Sequence, residues 1–169
     1  KVGLILYADK VHKVIPPQKG RKHILAIISQ ILTAEYVPSK SDLDAALQYM
    51  MNIFKKKSFV FILSDFADEY TSRTLRVASK KHSVLGLRVY DEKDSVIPNI
   101  GYALFRDAET GAQVWANTSS ARWRYNFAEQ QKQQKARVKE DFENASAGFI
   151  DMQSGDDYAG HLYRYFRKR

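Results

Sequence analysis

The residues best placed to do chemistry in this sequence are Ser41 and Asp65. Asp65 follows the apolar run Phe59-Val60-Phe61-Ile62-Leu63. It therefore stands at the carboxyl end of a strand, where open α/β sheets bind their ligands. Ser41 opens a helix in Ser41-Asp42-Leu43-Asp44, a capping box with Asp in place of the usual Glu or Gln. A hydroxyl and a carboxylate are hard oxygen donors suited to magnesium, which keeps several waters and needs few protein groups. The plainer alternative is that Ser41 caps its helix and Asp65 turns the chain after its strand.

Asp65 and Asp68 together offer a second chemistry, because paired carboxylates can hold magnesium for phosphoryl transfer or nuclease action. That reading lacks support elsewhere in the sequence. There is no Gly-rich phosphate loop and no Ser-His-Asp ordering, and no histidine lies near either carboxylate along the chain. The four histidines, His12, His23, His82 and His161, show no local zinc spacing, and the absence of cysteine removes thiolate sites and disulfides. A cysteine-free chain suits a reducing compartment, and the lack of a nucleophile–base arrangement leads us to expect a non-catalytic protein.

The formal charge is +8, with basic clusters at Lys19-Gly20-Arg21-Lys22-His23, Lys55-Lys56-Lys57 and Arg167-Lys168-Arg169. Acidic residues lie between these clusters, so a solvated basic surface is expected rather than a nucleic-acid site. A nucleic-acid binder would use Lys55-Lys56-Lys57 and the basic tail, with Trp123, Arg124 and Tyr125 as a stacking platform. Trp123 is instead expected to anchor its helix. No apolar run approaches a membrane span, and the first residues lack the layout of a signal peptide.

The elements that must position Ser41 and Asp65 follow from hydrophobic periodicity. Val2 to Tyr7, Phe59 to Leu63 and Val84 to Tyr90 read as buried strands of a mostly parallel sheet. A short strand is expected over Val11 to Ile15, ended by Pro16-Pro17. Ile24, Leu25, Ile27, Ile28, Ile31 and Leu32 form one broad helix face that should pack on the sheet, and Leu43, Ala46, Leu47, Met50, Met51 and Phe54 continue at helical spacing. A helix over Thr71 to Lys81 joins two of the strands, giving strand–helix alternation.

The second part carries an antiparallel hairpin, Tyr102 to Arg106 and Gln113 to Ala116, turning through Asp107 to Gly111. A long polar helix from about Ser120 to Ser146 follows, with Trp123, Phe127, Val138 and Phe142 on one stripe and Gly148 as its stop. Phe149 to Met152 reads as a last strand, and a final helix capped by Ser154 or Asp156 bears Tyr158, Leu162, Tyr165 and Phe166. The 169 residues, 44% of them apolar, suffice for a single domain.

The elements just described, taken in order, resemble bacterial domain-of-unknown-function family 58. The resemblance rests on the opening strand, Ile15-Pro16-Pro17, Gly20-Arg21-Lys22-His23, Ser41-Asp42-Leu43 and Leu63-Ser64-Asp65-Phe66. Leu87-Arg88-Val89-Tyr90-Asp91, Arg106-Asp107-Ala108-Glu109-Thr110-Gly111 and Asp156-Asp157-Tyr158 complete it. That family is similar to von Willebrand A domains and is often encoded beside MoxR-type AAA+ ATPases. The resemblance implies a Rossmann-like, von Willebrand A-like, doubly wound sheet that lacks its first strand, in a piece of a longer protein. It further implies a cytoplasmic protein-binding module with such an ATPase as partner.

In von Willebrand A domains a divalent ion is held by an Asp-x-Ser-x-Ser loop after the first strand, a Thr before a middle helix and an Asp after the next strand. Ser41 matches the Thr position and Asp65 the last Asp, while the first loop has no counterpart here. The resemblance therefore implies a metal site complete in the parent and incomplete in this chain, with the last ligand taken from a partner's acidic side chain. The absent strand would lie between Val2 to Tyr7 and Phe59 to Leu63. Either direct pairing of these two or filling of the gap by another chain, including self-association, is expected.

Overall fold

The computed structural model describes residues 1–35, 40–68, 70–91, 97–106 and 111–167. The elements in chain order are β1 (Val2–Tyr7), β2 (Val11–Gln18), α1 (Arg21–Leu32), α2 (Leu43–Ile53), β3 (Phe59–Leu63) and α3 (Ser72–Lys81). They continue with β4 (Ser83–Tyr90), β5 (Tyr102–Arg106), β6 (Gln113–Asn117), α4 (Ala121–Asn144), β7 (Gly148–Gln153) and α5 (Tyr158–Arg167). The fold is mixed α/β. A three-stranded parallel sheet runs β3-β4-β7, and β1-β2 and β5-β6 form separate antiparallel ribbons.

Alternation along the parallel strands assigns their two faces. Val60 and Ile62 of β3 and Val84 of β4 face a core built with Leu47, Met50 and Met51 of α2, Leu75 and Ala78 of α3, and Val138 and Phe142 of α4. Leu85 and Leu87 of β4 join Ile150 and Met152 of β7 on the opposite face, beneath Leu162 and Tyr165 of α5. Gly86 is what lets Phe142 lie flat on the first face, since a Cβ at residue 86 would stand 2.5 Å from the ring. Gly148 opens β7, and does not stop α4: a side chain there would collide with Tyr165.

Several sequence expectations hold closely. The buried stripe of α2 consists of Leu43, Ala46, Leu47, Met50 and Met51. The long helix buries just Val138 and Phe142 among its described side chains, so most of it faces water as anticipated. Ser120 caps its start, accepting from the Trp123 amide. The hairpin pairs Leu104 with Trp115, although turn residues 107–110 lie outside the described ones. At α5, Asp157 rather than Ser154 or Asp156 accepts the first-turn amide, from Gly160.

Other expectations are overturned. Strand β2 does not end at Ile15 but runs on to Gln18, and the ladder slips between Val2 and Leu4 so that the strand passes both prolines. Proline is tolerated at such irregular edge positions. Gly3 sits at the slip, where a Cβ would meet the Ile15 carbonyl oxygen at 2.8 Å. The broad apolar face of α1 does not pack on the sheet. Ile27 is its one buried residue: α1 meets β1, and Leu25, Ile28, Ile31 and Leu32 stay exposed.

Strand β3 is not covered on both faces either. Phe59, Phe61 and Leu63 are 63%, 44% and 68% exposed, with the Phe166 ring of α5 beside the two phenylalanines. No residue of β1 is fully buried. Direct pairing of β1 with β3 is absent: β1 pairs with β2, and β3 with β4. The facing edges of the ribbon and the parallel sheet carry no ladder between them, although α2 touches the ribbon and shares its core with β3.

Candidate functional site

The carboxyl ends of β1 and β3 open into one groove of about 660 Å³. Leu6, Tyr7, Ala8, Leu63, Ser64 and Asp65 line it, together with Ser41 and residues at the end of α1. The structure thus brings the two candidate residues to a shared cleft. Ser41 is not the helix cap, however. Asp42 takes that role, its Oδ1 accepting from the Ala45 amide at 2.8 Å. The Asp42 amide in turn donates to the Ala8 carbonyl at 2.7 Å, tying the start of α2 to the end of β1.

Freed from capping, Ser41 turns to Asp68. Its hydroxyl donates to Asp68 Oδ2 at 2.8 Å, and its amide donates to the same oxygen. The reverse tie lies beside it: Asp44, in the first turn of α2, accepts the Thr71 amide at 2.9 Å at the head of α3. The approach to α2 is therefore held by a carboxylate from the approach to α3, and the head of α3 by a carboxylate from the first turn of α2. The second Asp44 oxygen, Oδ1, is buried without a hydrogen-bond partner among the described residues.

The loop carrying Asp65 and Asp68 is fixed by an unusual backbone. Phe66 lies in the left-handed region at φ 55°, costly for a bulky residue unless its surroundings hold it there. Its ring is buried against Phe142 and Phe149, with centroids 5.2 and 5.8 Å away, and its carbonyl accepts from the Gln134 side chain at 3.1 Å. Ser64 Oγ accepts the Phe66 amide, and Asp65 Oδ1 accepts the Ala67 amide at 3.2 Å while remaining exposed. Burial pushes the Tyr7 hydroxyl above its ordinary range; its bond with Ser64 opposes this, and Asp65 and Asp68 add to it.

As a cation site the donor set fits in kind but is incomplete. Ser41 Oγ and the Asp65 carboxylate are hard oxygens on one cleft. No group of three or more His, Asp or Glu side chains converges to hold an ion among the described residues. Asp68 does not stand with Asp65 as a free pair, since Ser41 engages it.

Of the three residues of the stacking platform, Tyr125 is exposed while Trp123 and Arg124 are engaged within the fold. Trp123 is sandwiched between Phe105 and Phe127, at 5.7 and 5.8 Å, where it anchors the hairpin to α4. Arg124 donates to the Thr118 carbonyl, and Lys168 and Arg169 lie outside the described residues.

The roles of Asp44, Asp68, Phe66 and Gln134 were not legible in the sequence. Their hydrogen-bond partners lie 27 to 68 positions away, and the rings packed on Phe66 farther still. The one local signal was the density of Ser and Asp around the two strand and helix ends.

Comparison with known proteins agrees with the sequence resemblance at the level of the family itself. Uncharacterized proteins Mb1516 of Mycobacterium bovis and Rv1480 of Mycobacterium tuberculosis are each 25% identical over 172 residues, covering 100% of this chain and 54% of the relative. The chain thus spans about half the length of these relatives. Uncharacterized protein MAV169 of Mycobacterium avium is 25% identical over 158 residues, 92% of this chain and 93% of the relative. No solved structure matches. Among the described residues no helix is long and apolar enough to cross a membrane. The model of the family described as "Protein of unknown function DUF58" matches residues 1–137, and the chain belongs to that family.

Proposed function

We propose that this chain is a non-catalytic, cytoplasmic protein-interaction module of the von Willebrand A type, docking its partner through the groove at the ends of β1 and β3. The single observation that carries the reading is that Ser41 and Asp65, distant in sequence, line that one groove. A divalent ion there would be held by Ser41 Oγ and the Asp65 carboxylate, with further donors from the loop of a first strand seated between β1 and β3. The ion would supply an open coordination position for a partner's carboxylate, which is binding without turnover. The resemblance points to a MoxR-type AAA+ ATPase as that partner.

The deciding experiment is calorimetric titration of magnesium into this chain and into a form extended upstream of Lys1. The extended form should bind more tightly, and Ser41→Ala or Asp65→Ala should each weaken it. Equal affinities, indifferent to both substitutions, would remove the metal from the docking mechanism. A second reading, self-association across the same slot, is favoured by the unpaired edge of β3 and its exposed Phe61 and Leu63. Sedimentation equilibrium that finds a monomer at every concentration would dismiss it.

A further inference from the structure

Acidic residues stand between the basic clusters along the chain, but the parallel sheet sorts the two signs in space. Lys55, Lys56 and Lys57 precede β3, and Asp65 and Asp68 follow it; Lys80 and Lys81 precede β4, and Asp91 follows it. Strands β3 and β4 run the same way, with Phe59 opposite Ser83, so charges that alternate in sequence collect at opposite ends of the sheet. The five residues of β3 hold those ends about 17 Å apart. The Ser83 amide donates to the Ser58 carbonyl at 2.8 Å, which sets the loop before β3 against the end of α3. Helix α5 runs back from the carboxyl end and brings Arg167 to the same place, since the Phe166 ring lies 5.8 Å from that of Phe59.

Lys55, Lys56, Lys57, Lys80, Lys81 and Arg167 are all exposed, and none has an ion pair among the described residues. Complementing a helix dipole accounts for Lys80 and Lys81 in the last turn of α3, and for Lys55, which donates to the Met51 carbonyl at 3.4 Å. It does not account for Lys56 or Lys57. Glu140 and Glu143, at the end of α4, belong to the helix that packs on the opposite face of the sheet, where Glu143 pairs with Lys139 at 3.9 Å. Beside the cations the sheet presents rings: Phe59, Phe61 and Phe166 are 63%, 44% and 43% exposed, with Phe166 edge to face on the other two at 75° and 65°.

We propose that the amino end of the parallel sheet docks on an anionic phospholipid bilayer, with the lysines and Arg167 against headgroup phosphates and the three rings at the acyl boundary. Clusters of about four to eight basic side chains bind anionic lipid, and aromatic side chains anchor at the interface. Two features favour a bilayer over nucleic acid, the other extended polyanion. All but one of the six cations are lysines, compact point charges without the bidentate fork of arginine. Rings packed edge to face on one another offer no parallel platforms for bases. The same headgroups repel Asp65, Asp68 and Asp91 at the far end, so charge also orients the chain. The groove at the ends of β1 and β3 then faces away from the lipid, open to a protein partner whether or not it holds an ion.

Co-sedimentation of the whole chain with vesicles tests this. Vesicles of equal parts phosphatidylglycerol and phosphatidylcholine should bind it, vesicles of phosphatidylcholine alone should not, and added salt should release it. Lys55→Gln/Lys56→Gln/Lys57→Gln should weaken binding about a hundredfold, and Lys80→Gln/Lys81→Gln about thirtyfold. Lys10→Gln/Lys132→Gln removes as much charge as the second of these from exposed sites elsewhere and should change affinity by less than about threefold. Phe59→Ser, checked for folding by urea unfolding, should weaken binding about tenfold. No binding to the anionic vesicles at low salt would overturn the proposal. An equal loss in Lys10→Gln/Lys132→Gln would also overturn it, by showing attraction to net charge rather than to this end of the sheet. Undiminished binding by Phe59→Ser would overturn the seating of the rings. Tighter binding to a single- or double-stranded oligonucleotide at the same salt, lost in both patch lysine variants, would reassign the surface to nucleic acid.

Discussion

Helices α1 and α2 are neighbours in sequence and similar in length, and each carries a continuous aliphatic stripe, yet they meet opposite fates. Helix α2 buries five residues and serves as a shared floor, reaching the β1-β2 ribbon, α3 and the core beneath β3. Helix α1 buries one, Ile27, and leaves Leu25, Ile28, Ile31 and Leu32 exposed. Periodicity specifies that a stripe exists and which residues form it, but coverage depends on what lies opposite. For α2 the opposing surfaces are present on both sides. For α1 the strand it meets is β1, and the rest of its stripe stays uncovered among the described residues.

The sharpest way to break this comparison is to truncate both stripes. Leu47→Ala, at a residue 3% exposed, should cost about 2–5 kcal/mol in urea unfolding, since it removes buried contacts and leaves a cavity. Ile28→Ala on α1 should cost no more than about 0.5 kcal/mol. Comparable losses at the two sites would mean that the α1 stripe is covered in solution.

Next in size is Gly86→Ala, which tests the packed half alone. Its methyl would press on the Phe142 ring at the centre of the core, and such overpacking should cost about 1–3 kcal/mol. The companion change Phe142→Leu should recover part of that loss. Additive losses in the double variant would show that the ring is not what excludes a side chain at residue 86.

A pH dependence should also divide the molecule unevenly. His82 caps the carboxyl end of α3, is 1% exposed, and neither ring nitrogen has a hydrogen-bond partner among the described residues. Burial, with the Lys81 charge adding to it, lowers its pKa below the ordinary 6.5. A histidine held neutral in the fold binds fewer protons than in the unfolded chain, so no penalty is felt above 6.5. Stability then falls as the pH drops below 6.5 toward the lowered folded-state value. Thermal unfolding should show this loss in the wild type and less of it in His82→Leu. An identical acid dependence in both would place the sensitive group elsewhere.

The smallest expected effect is at the exposed end of α1, where Leu32→Gln should leave the unfolding midpoint within error while lowering nonspecific adhesion to apolar resin. A marked loss of stability there would again contradict the open stripe.

The elements themselves were largely legible. The α2 stripe, the β3 and β4 runs and the hairpin follow from spacing and turn residues, and Asp65 was placed at a strand end by the apolar run before it. What sequence could not supply was context. The run Phe59 to Leu63 reads as doubly buried because apolar continuity records what a strand can bury, and β3 shows that one face has little above it. Pro16 and Pro17 signalled an end, but an edge ribbon can slip around them. At the site, Ser41 was recognised by its place before a helix. Its partner Asp68 depended on a loop conformation that a buried Phe66 imposes from across the core.

The Arg88–Asp151 ion pair across β4 and β7 joins residues 63 positions apart, with the hairpin and the whole of α4 intervening. During synthesis β4 must therefore wait for its second neighbour. At ribosomal rates of about 5–20 residues per second, the interval is roughly 3 to 13 seconds. Through that time β3 and β4 can already be paired while the far edge of β4 is bare, and much of the segment being made is the long polar helix α4. A nascent chain at this stage presents an apolar strand edge tethered to a water-seeking arm, a state whose lifetime is set by translation and which a chaperone could recognise.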